Sequence, residues 1–69
     1  MKTNLRKFRF ENGDLSQREL ADMVKVSRQT IIAIEKGDYN LSVKLALFLS
    51  KKLNTTVEEL FQLEEKDEV

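Results

Sequence analysis

The sequence contains no cysteine, no histidine, no proline and no tryptophan, and it has only two glycines in 69 residues. Without cysteine or histidine there is no disulfide, no zinc site built on those ligands, and no thiol or imidazole to serve as nucleophile or base. No stretch approaches the roughly 20 apolar residues of a membrane-spanning helix, and the first residues lack the apolar run of a secretory leader, so a cytoplasmic location without a membrane partner is expected. An excess of one charge is missing too. Twelve Lys and Arg balance twelve Asp and Glu, so the overall charge alone does not mark a partner. A chain this short forms one domain whose stability must come from packing a small core.

The charges are nevertheless unevenly placed. Residues 1–36 hold eight Lys and Arg against five Asp and Glu, whereas residues 37–69 hold four against seven. A basic half and an acidic half can present two different surfaces.

With proline absent and Leu, Lys, Glu, Ile and Ala filling the windows between Gly13 and Gly37 and beyond, helix is favoured nearly throughout. Five helices follow from their caps. The first spans about Asn4–Asn12, with Leu5 and Phe8 inward. The second starts at Ser16, where Ser16-Gln17-Arg18-Glu19 has the capping-box form, turns Leu20, Ala21 and Val24 inward, and ends near Lys25. The third follows Ser27, carries Ile31 and Ile34, and stops at Gly37, with a loop over residues 37–40. The fourth is capped by Ser42 and is apolar on more than one face, which predicts the most buried helix. The fifth opens at Thr56-Val57-Glu58-Glu59, and Phe61-Gln62-Leu63 alternates enough for a short strand. One folded unit is expected to occupy residues 1–63, with its informative motif at 17–36. Residues 64–69 form an acidic tail expected to be frayed.

The informative stretch is Gln17 to Lys36. Two capped helices lie a few residues apart and must pack at a steep angle, and Ala21 is small enough to let the third helix approach. With Ile31 and Ile34 inward, Arg28, Gln29, Ile32, Ala33 and Lys36 share the opposite face. That face suits the DNA major groove, which admits one helix. Arg28 has the planar fork for guanine and Gln29 the amide for adenine, while Ile32 and Ala33 can meet thymine methyls. Gln17, Ser27, Thr30, Lys36, Tyr39 and Asn40 are candidates for phosphate contacts that position the helix without reading sequence.

These residues also carry a resemblance. The runs Leu15-Ser16-Gln17-Arg18-Glu19-Leu20-Ala21, Val26-Ser27-Arg28-Gln29-Thr30-Ile31 and Ile34-Glu35-Lys36-Gly37 resemble the XRE family of phage-repressor-like regulators, over about residues 4–63. The resemblance implies an all-α, five-helix lambda-repressor-like DNA-binding domain, with a short strand pair joining the chain ends in some members. It implies base contacts from Arg28, Gln29, Ile32 and Ala33, phosphate contacts from Gln17, Ser27, Lys36 and the loop through Asn40, and a partly buried ion pair between Arg9 and Glu35. Several residues depart from the family pattern. Lys25 stands where glycine is usual, at a left-handed cost of roughly 1 kcal/mol. Ile32 replaces a small or polar residue, Leu41 a frequent proline, and Phe48 a frequent lysine.

Small domains of this kind generally read two half-sites about one helical turn apart, so a homodimer on a palindromic operator is expected. Leu41, Phe48, Leu53, Phe61 and Leu63 are the candidate interface. The function expected is a DNA-binding transcriptional regulator acting as a repressor. The other reading is an antitoxin-like protein-interaction module that regulates its own operon, which the apolar Ile32 and Phe48 keep open. No enzyme, metal or cofactor is expected, because no phosphate-cradling glycine loop, metal cluster or nucleophile with a base can be assembled from these residues.

Overall fold

A computed structural model of the chain describes residues 1–37 and 39–67. Asp38, within the loop expected at 37–40, and Glu68 and Val69 of the acidic tail lie outside the described residues.

The helices begin where the caps require them to. The element order is β1 (Lys2–Thr3), α1 (Leu5–Glu11), α2 (Gln17–Val24), α3 (Arg28–Lys36), α4 (Val43–Lys52), α5 (Val57–Leu60) and β2 (Phe61–Gln62), followed by a 3-10 turn over Glu65–Asp67. Hydroxyls of Ser16, Ser27, Ser42 and Thr56 accept from the backbone N–H three residues on, at 2.9, 3.2, 3.1 and 3.2 Å. Each replaces a partner that the first turn lacks. At α2 the box is closed by Glu19, whose carboxylate accepts from the Ser16 N–H at 2.9 Å and is held below the usual carboxylate range by that bond.

The sharp corner between α2 and α3 is made at Lys25, with φ 60° and ψ 45°, and closes with Val26 N–H donating to the Ala21 carbonyl at 3.0 Å. A lysine in this left-handed conformation carries the cost expected for a position that glycine fills more easily. Gly37, at φ 82°, is a different case, because a Cβ there would also collide with the Met1 carbonyl. Only glycine lets β1 run this close to the end of α3.

The core consists of Leu5, Leu20, Ala21, Val24, Ile31, Ile34, Ala46, Leu49, Leu53, Leu60 and Phe61. Ala21 is buried, and its size lets α2 and α3 pack as the central pair. β1 and β2 pair antiparallel, Lys2 with Gln62 and Thr3 with Phe61, joining the two chain ends. The strand predicted through Leu63 is one residue shorter.

Three expectations need correction. The fourth helix is not buried on every apolar side. It turns Ala46, Leu49 and Ser50 inward, while Val43, Leu47 and Phe48 are 77 %, 55 % and 45 % exposed. In so small a bundle the other helices cover only one face of α4, so among the described residues its second apolar face has nothing to meet. Leu53 and Phe61, expected at a dimer interface, are core residues at 1 % and 9 % exposure and offer no surface. Phe61 points inward because alternate residues of β2 face opposite ways, which leaves Gln62 outside.

The acidic tail is also not free over its described part. The Met1 ammonium lies 2.8 Å from Asp67 and 3.4 Å from Glu64. Asp67 raises the amine above its ordinary value of 8.0, and the amine in turn holds Asp67 below its ordinary 3.8. The signs fix the window. The raised amine contributes fully below its ordinary value and is lost as pH climbs through the raised one, whereas the depressed carboxyl contributes fully above its ordinary value and is lost as pH falls through the depressed one. The Asn4 N–H, which donates to the Leu60 carbonyl at 2.8 Å beside this clasp, reports on it. Its protection against hydrogen exchange, corrected for intrinsic rate, is expected to be flat between the two limits and to decline beyond each. Equal protection on the alkaline side would show that the ends are held without the ion pair.

Candidate nucleic-acid interface

Ile31 and Ile34 are fully buried. A helix advances about 100° per residue, so anchoring these two turns the opposite side of α3 outward. Arg28, Gln29 and Lys36 are exposed there, and Ile32 and Ala33 are half-buried at the flanks of the same face. Arg28 and Gln29 occupy the first turn, where the Ser27 cap has set the helix direction.

Other candidates lie around this face at different depths. Ser27 is exposed, but its hydroxyl is engaged with Thr30, with the two oxygens 3.0 Å apart. Thr30 is half-buried, and its hydroxyl is tied to the cap. Tyr39 and Asn40 are exposed beyond Gly37 and line a shallow cleft with Met1, Leu63 and Asp67, so they belong to the chain-end side of the surface.

Gln17 starts α2 and is half-buried against α3. It belongs to a chain of polar contacts. Arg9, 7 % exposed, donates through Nε to Glu35 Oε2 at 2.7 Å and through Nη2 to Oε1 at 3.3 Å. Its Nη1 donates to the Leu15 carbonyl at 2.7 Å. The same Glu35 Oε1 accepts from Gln17 Nε2 at 3.2 Å, and Gln17 Oε1 accepts from Arg28 Nη2 at 3.4 Å. The ion pair implied by the family resemblance is thus present and extends to the surface.

In front of this chain lies an open cleft of about 440 Å³ lined by Arg9, Ser16, Gln17, Arg18 and Arg28. Of the described residues, three arginines and no acidic residue line it, Arg9 with its charge already paired to Glu35. It lies at the N-terminus of α2, where the helix dipole favours an anion. A phosphate suits such a place. Sequence reasoning did not single out Arg18, although its position in the first turn of α2, beside Gln17, was a usable signal.

The remaining surface feature is apolar. Phe48 flanks a groove of about 470 Å³ lined by Val24, Val26 and Leu45 together with Lys25, Ser42 and Lys44. Among the described residues no helix is long and apolar enough to cross a membrane.

Comparison with known proteins agrees with this geometry. A family model described as Helix-turn-helix matches residues 5–60. An uncharacterized HTH-type transcriptional regulator from Archaeoglobus fulgidus is 40 % identical over 67 residues, covering 97 % of this chain and 94 % of its own. The uncharacterized HTH-type transcriptional regulator YgzD from Bacillus subtilis is 43 % identical over 67 residues, with 97 % of this chain and 100 % of its own covered. Among solved structures, the restriction-modification controller protein C.AhdI from Aeromonas hydrophila superposes with a TM-score of 0.71 at 35 % identity, over 83 % of this chain and 85 % of that one.

Proposed function

The chain belongs to the helix-turn-helix family of transcriptional regulators, which are DNA-binding proteins and not enzymes, and on that premise we propose that it is a dimeric repressor that reads a palindromic operator with α3 in the major groove. The observation that supports this reading is the exposed face of Arg28 and Gln29 beside the arginine-lined cleft at the start of α2. One surface offers forked donors for base edges, and the adjoining one offers cations and backbone N–H groups for a phosphate. Arg28, Gln29, Ile32 and Ala33 are the base-contacting set. Gln17, Ser27, Thr30, Lys36, Tyr39 and Asn40 hold the backbone, with Arg18 added to them. The protein works in the cytoplasm, where it meets its operator.

Two half-sites one turn apart need two copies. The dimer surface proposed is the uncovered side of α4, with Val43, Leu47 and Phe48, together with Leu41 and Leu63. Leu63 is 81 % exposed and Leu41 is half-buried. The same apolar side of α4 favours a second reading, in which it holds a different protein and the domain acts as an antitoxin-like module.

A titration of labelled operator and random duplexes at several salt concentrations tests the main reading. Phosphate contacts make affinity fall steeply with salt, and base contacts separate operator from random sequence. Absent or salt-insensitive binding would favour the protein-partner reading. Within this experiment, Arg28→Ala is expected to cost about 1–3 kcal/mol of discrimination at one base pair and to leave the others. Lys36→Ala is expected to weaken all duplexes alike and to lower the salt slope by about one unit. Uniform losses from both changes would contradict the division of roles.

A further inference from the structure

The Arg9–Glu35 pair has an adequate structural explanation, since two nearly buried charges need each other. That explanation does not account for Gln17. Its amide sits between a group that can only accept and a group that can only donate: the Glu35 carboxylate 3.2 Å from Nε2 and the Arg28 guanidinium 3.4 Å from Oε1. We infer that Glu35 is a positioning residue for DNA recognition, orienting Arg28 through the Gln17 amide.

The reason is the direction of the amide. Glu35 takes the NH2 end, which leaves the carbonyl end facing Arg28. A reversed amide would set its oxygen against the carboxylate and its NH2 against the guanidinium, and both contacts would be repulsive. Only one orientation satisfies both neighbours. Glu35 can impose it because it is itself fixed, by two hydrogen bonds from Arg9, which is tethered in turn to the Leu15 carbonyl at 2.7 Å. The connection therefore begins at an immobile guanidinium in α1 and passes through the last turn of α3. It then crosses to the first residue of α2 and returns to the first turn of α3.

Arg28 is an exposed side chain with many rotamers, and a free one would lose that freedom on binding a base. Held by Gln17, part of the ordering is done before DNA arrives, and the fork is aimed in one direction. This inference rests on the proposal that Arg28 reads a base, and its test separates the two.

The test is Glu35→Gln, which keeps the side-chain size and an acceptor for Arg9 but removes the rule that fixes the Gln17 amide, since a glutamine accepts the amide in either direction. In the free protein, the backbone-independent order parameter of the Arg28 Nε–H is expected to fall relative to wild type. On DNA, discrimination at the base pair that Arg28→Ala relaxes is expected to drop about threefold to tenfold, the equilibrium equivalent of one net hydrogen bond. Discrimination elsewhere and the salt slope should be unchanged, and Glu35→Gln on an Arg28→Ala background should add nothing at that base pair. Should Glu35→Gln fold poorly, Gln17→Met breaks both links while leaving the Arg9–Glu35 pair intact, and the same drop in Arg28 order is expected. A purely structural Glu35 would lower the melting temperature and leave both the order parameter and the discrimination ratio at wild-type values, which would overturn the inference. If Arg28→Ala itself relaxes no base pair, the base-reading proposal fails, and the order parameter alone then decides whether Glu35 orients Arg28.

Discussion

Arg9→Leu is expected to destabilise the domain by about 3–5 kcal/mol, the cost of breaking a buried ion pair from one side. The side chains of Arg9 and Glu35 are 8 % and 13 % exposed, so the carboxylate left behind would have little water and, among the described residues, only the Gln17 amide as partner. The Leu15 carbonyl would lose its donor as well. A domain of this size has roughly 3–10 kcal/mol in total at the usual rate per residue, so much of the chain would be unfolded near the upper end of the cost. The charge is the cause, not the volume. Replacing both Arg9 and Glu35 by leucine is therefore expected to recover most of the loss, because an apolar pair of similar size carries no desolvation penalty. Urea titration of the two single variants and the double variant measures this directly. A double variant as unstable as Arg9→Leu would mean that the lost hydrogen bonds to Leu15 and Gln17, and not the stranded charge, set the cost.

The second large effect lies in the core beneath α3. Ile34→Ala is expected to cost about 2–5 kcal/mol, combining lost transfer energy with the cavity left behind. Ile34 is fully buried, so no water compensates, and the surrounding Leu and Ile side chains of so small a core have few ways to collapse into the space. Ile34→Val at the same site is expected to cost only about 0.5–1.5 kcal/mol. The ratio between the two variants matters more than either value. It distinguishes loss of packing volume from loss of the helix itself, since alanine is the better helix former and valine the poorer. A valine variant less stable than the alanine one would place the effect in helix propensity.

Much of this architecture was legible because its causes are local. Ser16, Ser27, Ser42 and Thr56 announce helix starts within three residues of the groups they cap, and all four do so in the structure. Lys25 and Gly37 mark the corners, and the spacing of Ile31 and Ile34 gives the outward side of α3. What was not legible depends on partners distant in sequence. A strand pair joining the chain ends was expected from the family resemblance, but its register, Lys2 with Gln62, and the ion pair of Met1 with Asp67 are encoded by no periodicity. α4 was misread for another reason. Its apolar residues occupy more than one face, so the pattern cannot say which of Leu49 and Leu47 is inside until the neighbouring helices are in place. Leu53 and Phe61 were misassigned in the same way, as apolar residues near element ends whose direction only the packed fold decides. The link from Glu35 through Gln17 to Arg28 combines three helical turns and had no sequence signal of its own.

The strand pair carries a kinetic consequence. Helical turns close over a few residues within about a microsecond, but β1 can find β2 only after nearly the whole chain has been arranged between them, which makes it the costliest loop to shut. It should zip last during folding and unzip first in the native protein. Thr3 donates to the Glu35 carbonyl and Gly37 abuts Met1, so the strand pair, once shut, bears directly on the trailing turn of α3. The fold thus fastens the leading end of that helix early, through its own cap, and the trailing end last, through the termini.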